Sequence, residues 1–224
     1  MEDNDDDTKQ GTAKPGTHDI WPCLKTAMAS LECGKAFRFD TRGDLVLKVG
    51  NGIAYEFVVC SRTIARWSSV FRAMLFSGFA ESEPTGSTWI VDLPEDQPSP
   101  LFIILSIAHG YFENVPKSLS QNHLYQVLVV TEKYDMTKIL RPYAATWFEP
   151  YKRVGDIEGS EIRLWISWEL GHEKTFSRLA RLLFMESRTN KDGELVDSEG
   201  VPLTSYNCLE PPGIIGKLKF SQDR

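Results

Sequence analysis

The sequence predicts an α+β domain in which a short β-sheet is flanked by paired helices and a C-terminal helical extension follows. Three observations carry that expectation. Leu45, Leu47 and Val49 alternate with Val46 and Lys48, and Tyr55, Phe57 and Val59 alternate on a return strand. Gly50-Asn51-Gly52 lies between them, and an Asn-Gly step supplies the positive φ angles of a tight hairpin turn. Directly after Val59 the apolar period lengthens from two to about 3.6, which turns strand into helix. From Leu101 to Ser187 the apolar residues then keep helical spacing in successive stripes.

Residues 1–17 carry Glu2, Asp3, Asp5, Asp6 and Asp7 together with Gly11, Pro15 and Gly16, and are expected to form a disordered, solvated acidic tail. The main domain is expected over 18–151. It opens with a helix over 20–39, in which Leu24, Ala27, Met28 and Leu31 share one stripe and Gly34 is the stop signal. After the hairpin, Ile64, Trp67, Phe71, Met74 and Leu75 read as the buried sides of two short helices broken near Ser68-Ser69. Thr88 to Leu93 gives a third strand. Pro94, Pro98 and Pro100 punctuate its exit, with Pro100 suited to the first turn of a helix whose buried face is Leu101, Ile104, Leu105 and Ala108. A second helix buries Leu124, Val127, Leu128 and Thr131. A third buries Ile139, Leu140, Tyr143, Ala144 and Trp147, its start restricted by Pro142.

The helical extension is expected over 152–188, as helices 161–170 and 173–187 separated by Gly171. Ile162, Trp165, Ile166, Phe176, Leu179, Ala180 and Leu183 form its apolar stripe, which makes it a packed annex rather than an independent domain. Residues 189–224 read as a loop-rich tail with one or two irregular hairpins.

Val59, Ser61, Ile64, Ser68, Phe71 and Met74, followed by Gly78, Phe79, Glu81 and Ser82, spell V-x-S-x-x-I-x-x-x-S-x-x-F-x-x-M and then G-F-x-E-S. In that order, behind a strand pair, they resemble the opening of a BTB/POZ domain, in the form with a helical extension common in fungi. Cys60 stands where that family usually has His, and Ile64 where Leu is commoner. The resemblance covers about half of the chain. It implies a protein-interaction module that often dimerises, and not an enzyme. In that family a helix ahead of the first strand often lies across the dimer interface, the alternative being that the same stripe packs on its own domain, and an acidic residue often sits near the seam. The resemblance therefore makes Leu24, Met28, Leu31 and Asp44 the candidate self-association residues. BTB adaptors also use a hydrophobic-x-Glu motif to grip a cullin scaffold, which makes Phe79 and Glu81 candidate partner-binding residues.

Composition narrows the classes further. The 224 residues are 42% hydrophobic and 25% charged, ordinary for a globular protein. The longest apolar run, Leu101 to Leu105 extended by Ile107 and Ala108, falls short of the ~20 residues that span a bilayer. The acidic start is the opposite of a signal peptide, and no Asn-x-Ser/Thr site occurs, so an intracellular location, cytoplasm or nucleus, without membrane partners is expected. A net charge of −6 opposes generic nucleic-acid binding, which needs a basic face. Cys23, Cys33, Cys60 and Cys208 are scattered, without CxxC spacing, and are expected as thiols.

Chemistry-bearing patterns are sparse. His18, His109, His123 and His172 have no metal-ligand spacing, so no metal or other cofactor is expected. A Cys60–His nucleophile pair is an open alternative, against which stands the expected place of Cys60 in the core. Arg42-Gly43-Asp44 spells an integrin-binding tripeptide but reads as the start of a strand. The acidic stretch 192–200 lacks EF-hand alternation and reads as a solvated turn, and Lys174, Arg178 and Arg181 as a solvated helix face. The expected function is non-enzymatic protein–protein interaction with self-association through the BTB-like domain. The alternative is a substrate adaptor for a cullin-type ubiquitin ligase, and a remote third is an enzyme with an unrecognised site.

Overall fold

In the computed structural model, residues 21–29, 36–51, 54–152, 160–196, 202 and 211 are described. The acidic tail, Leu31, Cys33, Gly34, His18, Cys208 and most of the C-terminal tail lie outside them. The described chain is α+β. Helix α1 (Pro22–Ala29) precedes strands β1 (Phe37–Arg38), β2 (Leu45–Val49) and β3 (Tyr55–Val59). Helices α2 (Ser61–Trp67) and α3 (Ser69–Phe76) lead to β4 (Trp89–Leu93). Helices α4 (Pro98–His109), α5 (Gln121–Lys133) and α6 (Arg141–Phe148) follow, then α7 (Ser160–Glu169), α8 (Glu173–Glu186) and the short strands β5 (Arg188–Thr189) and β6 (Leu195–Val196).

The four-stranded sheet has the order β1-β3-β2-β4, with β2 antiparallel to β3 and parallel to β4. Leu45, Leu47 and Val49 of β2 and Trp89, Val91 and Leu93 of β4 all point into the core, as period-two alternation requires. The turn differs from expectation. Val49 pairs with Tyr55, which leaves five residues, 50–54, between the strands. Gly50 has a positive φ (97°) and Asn51 does not, while Gly52 lies outside the described residues. Gly50 also donates its N–H to the Leu93 carbonyl (3.0 Å), so pairing with β4 carries β2 beyond the point where a tight turn would begin.

The helix expected over 20–39 is corrected at its C-terminal end. Phe37 and Arg38 form β1, in parallel register with Phe57 and Val58, and the Phe39 N–H donates to the Val58 carbonyl (2.8 Å). Aromatic packing explains the change. Phe37, Phe39, Phe57 and Phe102 lie with ring centroids 4.8–5.9 Å apart, a cluster that forms only if residues 37–39 run along the sheet.

Helix α4 is the centre of the molecule. Every residue from Pro98 to Ile107 is buried, not the single face that the spacing of Leu101, Ile104, Leu105 and Ala108 indicates. A helix that is apolar all round is covered on all sides, here by α1, α2 and α5 and, through Phe102, by Phe37 and Phe57 of the sheet. Pro98 takes the first helical position, where its missing N–H costs nothing. Helix α5 buries Leu124, Val127, Leu128 and Thr131 as its stripe predicts.

The extension is tied to this core by α7. Trp165 and Ile166 belong to the main apolar cluster, with Trp165 edge-on to Tyr125 (5.2 Å), while Leu164 packs with Leu179 and Leu183 of α8. One helix therefore serves two apolar clusters. At its C-terminal end Glu169 accepts a hydrogen bond from the Thr137 hydroxyl (3.3 Å). Burial raises its carboxyl pKa above the ordinary value, and nearby Glu132 adds to the rise. A folded pKa above the unfolded one means stability that is full in acid and declines as pH climbs through the carboxylate range. Glu169→Gln is therefore expected to raise the melting temperature at pH 7 and leave it nearly unchanged at pH 4. Equal shifts at both pH values would contradict the assignment.

Candidate functional site

The residues of the V-x-S-x-x-I-x-x-x-S-x-x-F motif are explained by folding. Asp44 ends the approach to β2, and its carboxylate accepts hydrogen bonds from both the Ser61 N–H (2.7 Å) and the Ser61 hydroxyl (2.6 Å). It thereby satisfies an orphan donor at the start of α2 and places negative charge at that helix N-terminus. Gly43 is required beside it, because an added Cβ would stand 2.7 Å from the Val58 side chain and 2.9 Å from the Val59 carbonyl. The Arg-Gly-Asp tripeptide is thus a packed strand entry.

Ser68 breaks the helical run between α2 and α3 with extended backbone (φ −125°, ψ 121°). Its hydroxyl accepts from the Phe71 N–H (2.8 Å) and donates to the Tyr134 carbonyl (2.5 Å), so one side chain caps α3 and ties it to the end of α5. Beside it the Ser69 hydroxyl donates to Asp135 (2.5 Å), a residue held at φ 52°. Phe71 stacks face to face on Tyr134 at 4.2 Å. The Tyr134 hydroxyl donates in turn to buried Asp96 (2.6 Å), which Lys133 also pairs with (2.9 Å). Burial and the Asp96 hydrogen bond push the phenol far above its ordinary range, so it stays neutral.

With Ile64, Phe71 and Leu75 directed inward, α2, α3 and the turn after them leave several large apolar side chains exposed. Trp67 is 42% exposed, Val70 38%, Phe76 46% and Phe79 59%. Trp67, expected on the buried side, is the correction here, and Met74 is only partly buried. Seven residues of α2 are too short for its last residue to reach over the core, and Ser68 then redirects the chain. Val70, which sequence reasoning did not single out, lies one step off the buried Phe71–Leu75 line, and that offset is the signal for it.

Ser69, Val70, Ala73, Met74, Phe79 and Glu81 line a surface groove of about 510 Å³. The turn that carries Phe79 is fastened at several points. The Ser82 N–H donates to the Phe79 carbonyl (3.0 Å), the Ser82 hydroxyl to the Met74 carbonyl (3.4 Å), and the Trp89 indole N–H to the Glu81 carbonyl (2.7 Å). Phe79 and Glu81 are therefore brought together on one groove and held there.

The other candidates lie elsewhere. Leu24 is fully buried within its own chain, and Met28 is partly buried against the same core, so the α1 stripe packs in cis. Cys23 and Cys60 are free thiols, and burial raises the Cys23 pKa. Cys60, expected in the core, is partly exposed at the N-terminus of α2. Its neighbour His109 accepts the Cys60 backbone N–H at Nε2 (3.2 Å) and engages the Leu105 carbonyl through Nδ1 (3.0 Å). Both ring nitrogens are occupied, and burial lowers the imidazole pKa. Among the described residues no group of three His, Cys, Asp or Glu is placed to hold a metal, and no described helix is long and apolar enough to cross a membrane.

Compared with protein-family models and with curated proteins, the chain matches none.

Proposed function

We propose that the chain is a non-enzymatic protein–protein interaction module with a BTB/POZ-like domain, and that it self-associates. The observation that carries this reading is the pair of exposed apolar side chains Val70 and Phe79, which line one surface groove together with Met74. Exposed apolar side chains gathered in a groove that Ser69 and Glu81 also line are how interaction surfaces present themselves. The resemblance supports it in detail. Its motif residues fall on a hairpin followed by two short helices, with Ser61 and Ser68 at the starts of the two helices and Phe71 in the core. Light scattering over a micromolar concentration range is expected to give at least a dimer. A monomer throughout that range would overturn self-association.

The second reading, an adaptor for a cullin-type ubiquitin ligase, is favoured by one observation: Phe79 is an exposed aromatic beside Glu81 on a fixed turn. An anchor of that kind gains its burial only in a complex. Phe79→Ala is expected to weaken cullin binding by about 2 kcal/mol, as truncation of an interface anchor does. Because the ring is mostly in solvent, fold stability should change by no more than ~0.5 kcal/mol. Pull-down and thermal melting on the same variant check both halves. A wild-type chain that captures no cullin ends this reading and leaves the scaffold role.

A further inference from the structure

The opposite flank of α3 differs in chemistry from the Phe79 groove. Arg62, Arg66, Arg72, Ala65 and Phe76 line a second groove of about 440 Å³, and among the described residues no carboxylate lines it. All three guanidinium groups are exposed, and among the described residues none of them pairs with an acidic side chain. This is unusual for a chain whose net charge is −6, with 31 acidic against 25 basic residues. Arg62 and Arg66 stand four residues apart on α2, an arrangement of like charges that weakens a helix unless an anion compensates it.

The groove is also held in shape. Arg72 donates through Nε to the Ala65 carbonyl (3.1 Å), which fixes its guanidinium over the gap between α2 and α3. Phe76 meets Trp89 edge-on at 5.8 Å, which fixes the ring that forms the apolar wall. Buried Ala65 gives a small floor between them. A pre-set cation and a pre-set ring lose little freedom when a ligand arrives.

We propose that this groove docks an acidic peptide segment carrying one large apolar side chain, its carboxylates on Arg62, Arg66 and Arg72 and its apolar side chain against Phe76. Arginine clusters recognise carboxylates through forked, charge-assisted hydrogen bonds. A nucleic acid fits less well, because a phosphate backbone needs a continuous basic track, and the rest of the chain is acidic. The inference deepens the interaction-module reading by giving one partner its chemistry, and it does not depend on self-association.

The test is fluorescence anisotropy on the full chain at low ionic strength, with a labelled peptide in which a leucine is flanked on each side by three glutamates. Binding is expected. Arg72→Glu, and Arg62→Glu with Arg66→Glu, should each weaken it about tenfold or more, as loss of a close interfacial charge pair does. Arg178→Glu on α8 should leave it unchanged, and melting temperatures should show every variant folded. On the wild-type protein, a peptide with serine in place of leucine should bind more weakly, a comparison that needs no variant to fold. The proposal is overturned if the wild-type chain does not bind the peptide, if the serine peptide binds equally well, or if Arg178→Glu weakens binding as much as Arg72→Glu. It is also overturned, in favour of nucleic acid, if an oligothymidylate of equal charge binds more tightly. Light scattering on the same samples separates this outcome from failure of self-association.

Discussion

Phe71→Ala is expected to lower the free energy of unfolding by about 3–5 kcal/mol, the range for removing a fully buried phenylalanine. The ring is 0% exposed and stacks on Tyr134 at an interplanar angle of 7°. Its loss leaves a void lined by side chains that are themselves held. Tyr134 is fixed by Asp96, and the chain on either side of Phe71 is fixed by the Ser68 cap and the buried Leu75. Little collapse is available to relieve the cavity. For a chain of this length the midpoint should fall by about 2–4 °C for each kcal/mol. Urea unfolding with an unchanged slope checks it. A loss below about 1 kcal/mol would mean that α3 does not pack on α5 as described. The comparison with Phe79→Ala is informative, since two phenylalanines eight positions apart are assigned opposite roles. The first should cost stability and the second binding.

The next largest effect is expected at Trp165. Trp165→Ala should destabilise the fold by about 3–5 kcal/mol. It should do so as one transition, because Trp165 and Ile166 share a cluster with Leu101, Val127 and Leu128 of the main domain. Far-ultraviolet circular dichroism and tryptophan fluorescence should report the same midpoint in wild type and variant. Two separated midpoints in the variant would show that α7 and α8 unfold on their own, and the extension would then be a separate unit. The cluster that α7 forms with α8 alone centres on Leu164, Leu179 and Leu183, with Phe176 and Ala180 only partly buried against it. That is too small an apolar core to offset the ordering of two helices.

Much of the architecture is legible along the chain. The alternation of Leu45, Leu47 and Val49, the break at Ser68, and the stripes of α5 and α8 are local signals, and each reports which side of its element is dry, whereas α7 is buried throughout 163–167 and not only at Trp165 and Ile166 of its stripe. The candidate surface is only half legible. Phe79 and Glu81 stand out through a short motif, but Trp67 reads as core. Its spacing from Ile64 suits a buried face, and only the redirection of the chain at Ser68 puts it in solvent. Arg62, Arg66 and Arg72 carry no pattern at all. They become a groove because α2 and α3 fold back on each other, and among the described residues no carboxylate is brought to meet them.

What the sequence by itself determined is the α+β class, the order of its elements and most of their inward faces, since periodicity of two or 3.6 records burial residue by residue. Tertiary structure alone decided the rest. It made a strand of Phe37 and Arg38 by pairing them with Phe57 and Val58, lengthened the hairpin loop through the Gly50–Leu93 hydrogen bond, and buried α4 on every side. It also turned Asp44 into the cap of a helix that begins 17 positions later. Each of these depends on partners distant in sequence, and a local apolar pattern holds no record of which distant surface will arrive to cover it.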